Sequence, residues 1–102
     1  MNITLSGEPY RIKFGYSTIK GELYNTRSTY AELYKVNKDG TLSVVDSMIG
    51  FVSCDNRDRF VKETGRKMAL KDLLEVITDK FNLTREDRGE IWNKYHSRQW
   101  GE

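Results

Sequence analysis

Residues 54 to 71 read CDNRDRFVKETGRKMALK, and the spacing of apolar residues changes within this stretch. Before Cys54 the clearest pattern is at residues 10–16, where apolar residues alternate with the others, which is the period of a β-strand buried on one face. After it they recur at three- and four-residue steps, which is the period of an amphipathic helix. We therefore expect a sheet that ends near Cys54 and helices that follow it.

The same stretch predicts two helices separated by a glycine. Asp55 is placed to cap a short helix that runs through Thr64, with Asp58 three residues on, and Gly65 ends it. The second helix is predicted over residues 67–80, where an apolar stripe indicates the face that covers the sheet. That stripe consists of Leu70, Leu73, Leu74, Ile77 and Phe81.

The N-terminal half has the pattern of an antiparallel sheet. The predicted strands are residues 10–16, 29–36 and 42–52. Asn25 to Ser28 predict a turn, because short polar residues favour one. Asn37-Lys38-Asp39-Gly40 is a strong hairpin signal, since Asp-Gly supplies the positive backbone angles that tight turns need. Gly50 marks a bulge or a close approach of another backbone.

A last helix is predicted to begin after Thr84, whose hydroxyl can cap it together with Asp87 three residues on. Ile91, Trp92 and Tyr95 are its apolar residues. Because they are few, we expect this helix to pack partly on a second copy of the chain. The predicted fold class is α+β, with an antiparallel sheet packed by two to three C-terminal helices.

Length and charge limit the function classes. A chain of 102 residues forms one domain, residues 1–102, with no room for a second. A net charge of +2 argues against a DNA mimic and against a protein that wraps nucleic acid. The excess of positive charge lies in the C-terminal half of the chain. Residues 57–102 hold eleven basic and nine acidic side chains, whereas residues 1–56 hold six of each.

Cysteine usage and hydropathy indicate the compartment. Cys54 is the one cysteine, which excludes an internal disulfide and suits a reducing cytosol. No run of apolar residues is long enough to span a bilayer, and the first residues lack a basic and then apolar leader. A cytoplasmic protein is therefore expected.

Cations concentrate in the stretch quoted above, and Gly65-Arg66-Lys67 is its centre. A glycine turn followed by a helix N-terminus presents free N–H groups and a positive dipole end to a phosphate. The alternative is that Arg66 and Lys67 bond the last carbonyls of the preceding helix. Either reading places these two cations at a helix junction.

Other candidate residues also carry two interpretations. Phe60 is either a base-stacking ring or the apolar anchor of the short helix. Arg88 and Arg98 either contact phosphate or are solvated charges beside acidic neighbours. His96 and Cys54 lie far apart in sequence and predict no acid–base or nucleophilic pair, and no metal or cofactor motif is present.

These residues resemble a group of small bacteriophage proteins that carry a strand pair followed by a cysteine, an aspartate, F-x-K, GRK and A-L. Here these are Cys54, Asp58, Phe60, Lys62, Gly65 to Lys67, Ala69 and Leu70. The resemblance extends to Thr26-Arg27, Arg88, Trp92 and Tyr95. Within that group the chain is similar to the Thoeris anti-defence family of sponge proteins.

The resemblance implies a non-enzymatic protein that sequesters a cyclic nucleotide immune signal in the cytoplasm of an infected bacterium. The signal would be a cyclic ADP-ribose isomer, with cyclic oligonucleotides as a second class bound at a separate site, and the host effector would stay inactive. The family also assembles as oligomers, so a homo-oligomer is expected. Carried over, Phe60 stacks on the base and Lys62 contacts phosphate. Further anion ligands would be Arg66, Lys67, Arg88 and Arg27.

Two other function classes remain open. The first is an inhibitor of a host defence nuclease complex, in which Trp92, Tyr95 and Trp100 would contact a macromolecule. The second is a nucleic-acid-binding regulator, which would show a steep salt dependence.

Overall fold

A computed structural model describes residues 1–21, 25–55 and 62–97 of the chain. Four strands come first and two helices follow, which confirms the predicted α+β class and its order. The elements are β1 (Asn2–Leu5), β2 (Glu8–Lys20), β3 (Asn25–Val36), β4 (Leu42–Asp55), α1 (Lys62–Phe81) and α2 (Arg85–Ser97). In this part of the chain no helix is long and apolar enough to cross a membrane.

The strands form one antiparallel sheet in sequence order, β1-β2-β3-β4. The predicted hairpin at Asn37 to Gly40 is confirmed, because it joins β3 to β4 and Gly40 has a φ of +86°. The Asp39 carboxylate accepts bonds from the backbone and hydroxyl of Thr41, at 3.0 and 2.6 Å. These bonds lower the pKa of Asp39, so the hairpin tip is held by an ionised side chain.

The turn predicted at Asn25 to Ser28 is wrong, because these residues are the first four of β3. They pair with β2 in an unbroken register that ends at Lys20 opposite Asn25. Ser28 is fully buried there. Because β3 has a neighbour on each side, β2 and β4 alternately satisfy the backbone N–H and C=O groups of its successive residues, and this outweighs the preference of short polar residues for a turn.

One face of the sheet carries the helices. The apolar stripe of α1 is confirmed, since Leu70, Leu73, Leu74 and Ile77 are at most 3 % exposed. Gly50 is a point of close approach, as expected, because a Cβ there would overlap the backbone of Ala69 and Leu73. The helix can therefore lie directly on β4.

The two-helix interpretation of residues 55–80 is wrong where it can be compared. Residues 62 to 81 form one continuous helix, and Gly65 lies inside it, so it ends no helix. A Cβ on Gly65 would meet Thr29 Oγ1 at 2.5 Å, so the missing side chain serves close packing on β3. Asp55 is the last residue of β4, residues 56–61 of the predicted short helix lie outside the described residues, and residues 62–64 belong to α1.

The predicted cap of α2 is confirmed by two reciprocal bonds. Thr84 N donates to Asp87 Oδ2 at 3.0 Å, and Asp87 N donates to Thr84 Oγ1 at 3.2 Å. Ile91 and Tyr95 are 5 % and 2 % exposed within the single chain. Their burial removes the reason for placing an oligomer contact on this helix.

Candidate functional site

Arg66 projects from the N-terminal part of α1 toward the sheet. Its Nη1 donates to the hydroxyl of Tyr16 on β2 at 2.8 Å, and its Nη2 donates to Glu63 Oε2 at 2.6 Å. The Arg66 and Glu63 side chains are 23 % and 29 % exposed. The cation is therefore held between a helix and a strand, at the edge of the buried core.

Two of the polar atoms near this arginine are buried and make no hydrogen bond of good geometry within the described part of the chain. One is Arg66 Nε, and the other is Thr29 Oγ1, which lies beneath Gly65. Thr29 is the direct cross-strand partner of Tyr16, whose hydroxyl accepts a bond from Arg66. Arg66 Nε and Thr29 Oγ1 therefore lie at the same end of the sheet. Buried polar atoms that lack a partner are rare in proteins and call for an explanation at each site.

Burial acts to lower the pKa of Arg66, but the side chains of Glu63, Tyr16 and Tyr95 outweigh it and raise that pKa. The guanidinium is thus a permanent charge at any accessible pH. It is also fixed in orientation by partners on two sides. A planar cation of this kind suits a phosphate or carboxylate, and one carboxylate, that of Glu63, already bonds to it.

Arg27 lies on the same face of the sheet and at the same end. It sits on β3 opposite Thr18 of β2 and Cys54 of β4, and it is exposed. It is two residues beyond Thr29, which places its Cα about 6.6 Å further along the strand. The register therefore brings two predicted site residues, Arg27 and Arg66, to the same region beside the first turn of α1.

The other predicted site residues either lie away from Arg27 and Arg66 or fall outside the described part of the chain. Lys67 is exposed on α1, turned about 100° from Arg66 around the helix axis. Lys62 begins α1, but its side chain lies outside the described part. Phe60 lies outside the described residues altogether. The predicted role of Gly65 as a junction fails, because α1 is continuous through it.

Arg88 occupies a different place, a cleft of about 500 Å³ between α1 and α2. Its Nη1 donates to the carbonyl oxygen of Leu83 at 3.3 Å, which is a structural role at the start of α2. The cleft is lined by Lys71, Leu74, Glu75, Thr78, Asp79, Arg88 and Trp92. Thr78 is about 18 Å along the helix axis from Arg66, so Arg88 does not join that site.

Sequence reasoning missed Tyr16 and Glu63 as partners of Arg66. The spacing of Glu63 and Arg66, three residues apart on a helix, is a signal for an ion pair and could have indicated it. Tyr16 was recognised as a strand residue only. Its proximity to Arg66 depends on how α1 crosses the sheet, which no local pattern encodes.

His96 is exposed and stacks on Trp92, with ring centres 5.8 Å apart and an interplanar angle of 24°. This contact fits a packing role. Among the residues described, no group of three His, Cys, Asp or Glu side chains lies close enough to hold a metal ion.

No protein family model, curated protein or solved structure matches this chain. The arrangement of its own residues is therefore what indicates its function.

Proposed function

We propose that this protein is a non-enzymatic binding protein that captures an anionic small molecule through Arg27 and Arg66. The observation that carries the proposal is that the strand register places Arg27 two residues beyond Thr29, the partner of Tyr16, on the face of the sheet where Arg66 bonds to Tyr16. A helix N-terminus adds backbone N–H groups and a favourable dipole for an anion. Two arginines and a helix end suit a ligand with more than one phosphate.

Tyr16 gives the site a surface for a base as well as for phosphate. Its side chain is 41 % exposed although its hydroxyl is bound by Arg66, so one part of the ring is open to solvent. An aromatic ring next to fixed cations favours a nucleotide over inorganic phosphate, because base stacking contributes about 1–3 kcal/mol. Within this class the resemblance indicates a cyclic nucleotide immune signal, either a cyclic ADP-ribose isomer or a cyclic oligonucleotide.

The biological role that follows is sequestration. A protein that binds the signal without cleaving it lowers its free concentration, and the bacterial immune effector stays inactive. Phe60, Lys62 and Lys67 stay in the proposal as additional ligand contacts on the strength of the resemblance. Arg88 is better assigned to the cleft between the helices.

The test is the thermal midpoint of the purified protein with a panel of cyclic ADP-ribose isomers and cyclic di- and trinucleotides. A ligand at about 100 times its dissociation constant adds about 2.7 kcal/mol to stability. In a domain of this size that raises the midpoint by on the order of 10 °C. We expect at least one member of the panel to produce such a shift.

Site variants then locate the binding. Arg66→Gln and Arg27→Gln should each weaken the affinity for that compound by about 10- to 100-fold, because each removes charge-assisted bonds. Lys38→Gln removes the same charge from the exposed hairpin tip and should leave the affinity unchanged. Arg66→Lys keeps the charge but not the planar fork, and should fall between Gln and wild type.

The unliganded midpoint of each variant controls for misfolding. Absence of any shift across the whole panel would refute the nucleotide class. Equal affinity in wild type, Arg27→Gln and Arg66→Gln would refute the site even if a nucleotide binds.

A further inference from the structure

The cation at the centre of the proposed site, Arg66, already bonds to a carboxylate of its own helix. Glu63 lies three residues before Arg66 on α1, and its Oε2 is 2.6 Å from Arg66 Nη2. Both side chains are less than one third exposed, so salt and water screen this ion pair less than they screen a pair on the open surface. An anion that approaches Arg66 therefore meets an opposing charge beside it.

The planar guanidinium has two edges at which one anion can accept two bonds. One edge is formed by Nη1 and Nη2, and the other by Nε and Nη2. In Arg66 the Nε atom is buried, which closes the second edge to solvent. On the first edge both nitrogens already donate, Nη1 to Tyr16 and Nη2 to Glu63. An anion that binds this edge competes with both acceptors.

Glu63 is the stronger competitor of the two. The Tyr16 hydroxyl is neutral, and a cation bonds less strongly to a neutral acceptor than to a carboxylate. Glu63 also carries the same sign of charge as a phosphate, and two negative charges a few ångströms apart repel each other. A phosphate can thus bind beside Tyr16, whereas it is disfavoured beside Glu63.

Glu63 has the further advantage that the helix holds it beside Arg66. A group that the chain keeps close to its partner competes as though it were present at a high concentration, on the order of millimolar. A single phosphate group in solution has no such advantage. A ligand with two phosphate groups gains a comparable one, because a second group bound by Arg27 would keep the first beside Arg66.

We propose that Glu63 is an internal competitor of the ligand: its carboxylate and the ligand's phosphate bind the same nitrogen of Arg66, so the phosphate binds only by displacing it. This inference rests on the proposed function, because it requires that Arg66 bind the ligand. The Arg66–Glu63 ion pair then sets how tightly any anion can bind. Anions that contact Arg66 alone are excluded at low concentration, and those that also contact Arg27 are retained.

The test is isothermal titration calorimetry with inorganic pyrophosphate as the probe. Glu63→Ala removes the competing carboxylate, and the affinity for pyrophosphate should rise about 10-fold. Glu63→Gln leaves a neutral acceptor of the same length, and should give a smaller rise. The melting midpoint of each variant, measured by circular dichroism, would show that the fold is kept.

Two controls separate displacement from general charge repulsion. Glu75→Ala removes the same charge from an exposed position of α1, about 18 Å further along the helix axis, and should change the affinity by less than twofold. In the Arg66→Gln background, Glu63→Ala should also change the affinity by less than twofold, because the contact for which it competes is gone.

Three outcomes would overturn the role of Glu63. They are an affinity for pyrophosphate that is the same in Glu63→Ala and wild type, a rise that persists in the Arg66→Gln background, and no binding of pyrophosphate to any of these proteins. The capture function is judged separately, by the nucleotide panel. A panel compound that binds wild type and is weakened by Arg66→Gln would keep that function even if Glu63→Ala has no effect.

Discussion

At the scale of single residues, Gly50 is a position where the fold does not tolerate a larger side chain. A Cβ there would overlap the Ala69 carbonyl oxygen and the Leu73 backbone nitrogen. These are backbone atoms and cannot rotate away, so α1 would have to lift from β4. We expect Gly50→Ala to lower the free energy of unfolding by on the order of 3 kcal/mol, measured by urea denaturation.

Gly89→Ala is the matched control for this substitution. Gly89 lies inside α2, and a Cβ there would meet nothing within 4 Å. Alanine costs less backbone entropy than glycine in an exposed helix, so this variant should gain about 0.5–1 kcal/mol. Equal changes in both variants would mean that close packing at Gly50 does not matter.

The sequence predicted Arg66 as a site residue, but the prediction depended on an interpretation of Gly65 that the structure contradicts. A glycine before two cations was interpreted as a junction between helices, whereas Gly65 is a packing residue inside α1. The charge itself was recognisable from the sequence. Its partners were not, because Tyr16 is 50 residues away and meets Arg66 only through tertiary packing.

At the scale of elements, β4 is a long strand at the edge of the sheet. Edge strands expose unpaired N–H groups, which invite pairing with other chains. Here α1 protects one of them, because Phe51 N donates to Asp72 Oδ2 at 2.9 Å. We expect Asp72→Ala to lose about 1 kcal/mol in urea unfolding and to aggregate at a lower temperature in light-scattering scans.

Asp79→Ala makes the same change on the same helix, at an exposed position. A surface substitution of this kind should change stability by less than about 0.5 kcal/mol. If Asp79→Ala aggregates as readily as Asp72→Ala, loss of surface charge rather than loss of the edge cap is the cause.

Elements with a local chemical signal were predictable. The Asn37 to Gly40 hairpin and the Thr84–Asp87 cap each depend on bonds between residues at most four apart in sequence, and both are present. The start of β3 and the continuity of α1 depend on distant partners instead. Asn25 joins a ladder with Lys20, and Gly65 lies on Thr29.

At the scale of the whole molecule, one core joins every element. Its buried residues come from all four strands and both helices, and α2 contributes Ile91 and Tyr95. The Tyr95 ring meets Phe14 of β2 at 5.9 Å, edge to face. From the sequence α2 looked too poor in apolar residues to be buried. Two well-placed side chains are enough, because β1 and β2 provide the surface that receives them.

The proposed ligand site lies on one face of the sheet, and the other face can therefore serve as its control. Arg27 lies opposite Cys54 on the helix face, whereas Phe51 is on the opposite face. Sites that share no contacts contribute additively to free energy. For any compound that stabilises wild type, Phe51→Lys should therefore keep the same affinity within about twofold, measured by calorimetry. A loss of tenfold or more would mean that the face carrying Phe51 contributes to ligand capture, and the ligand site would then have to be extended beyond Arg27 and Arg66.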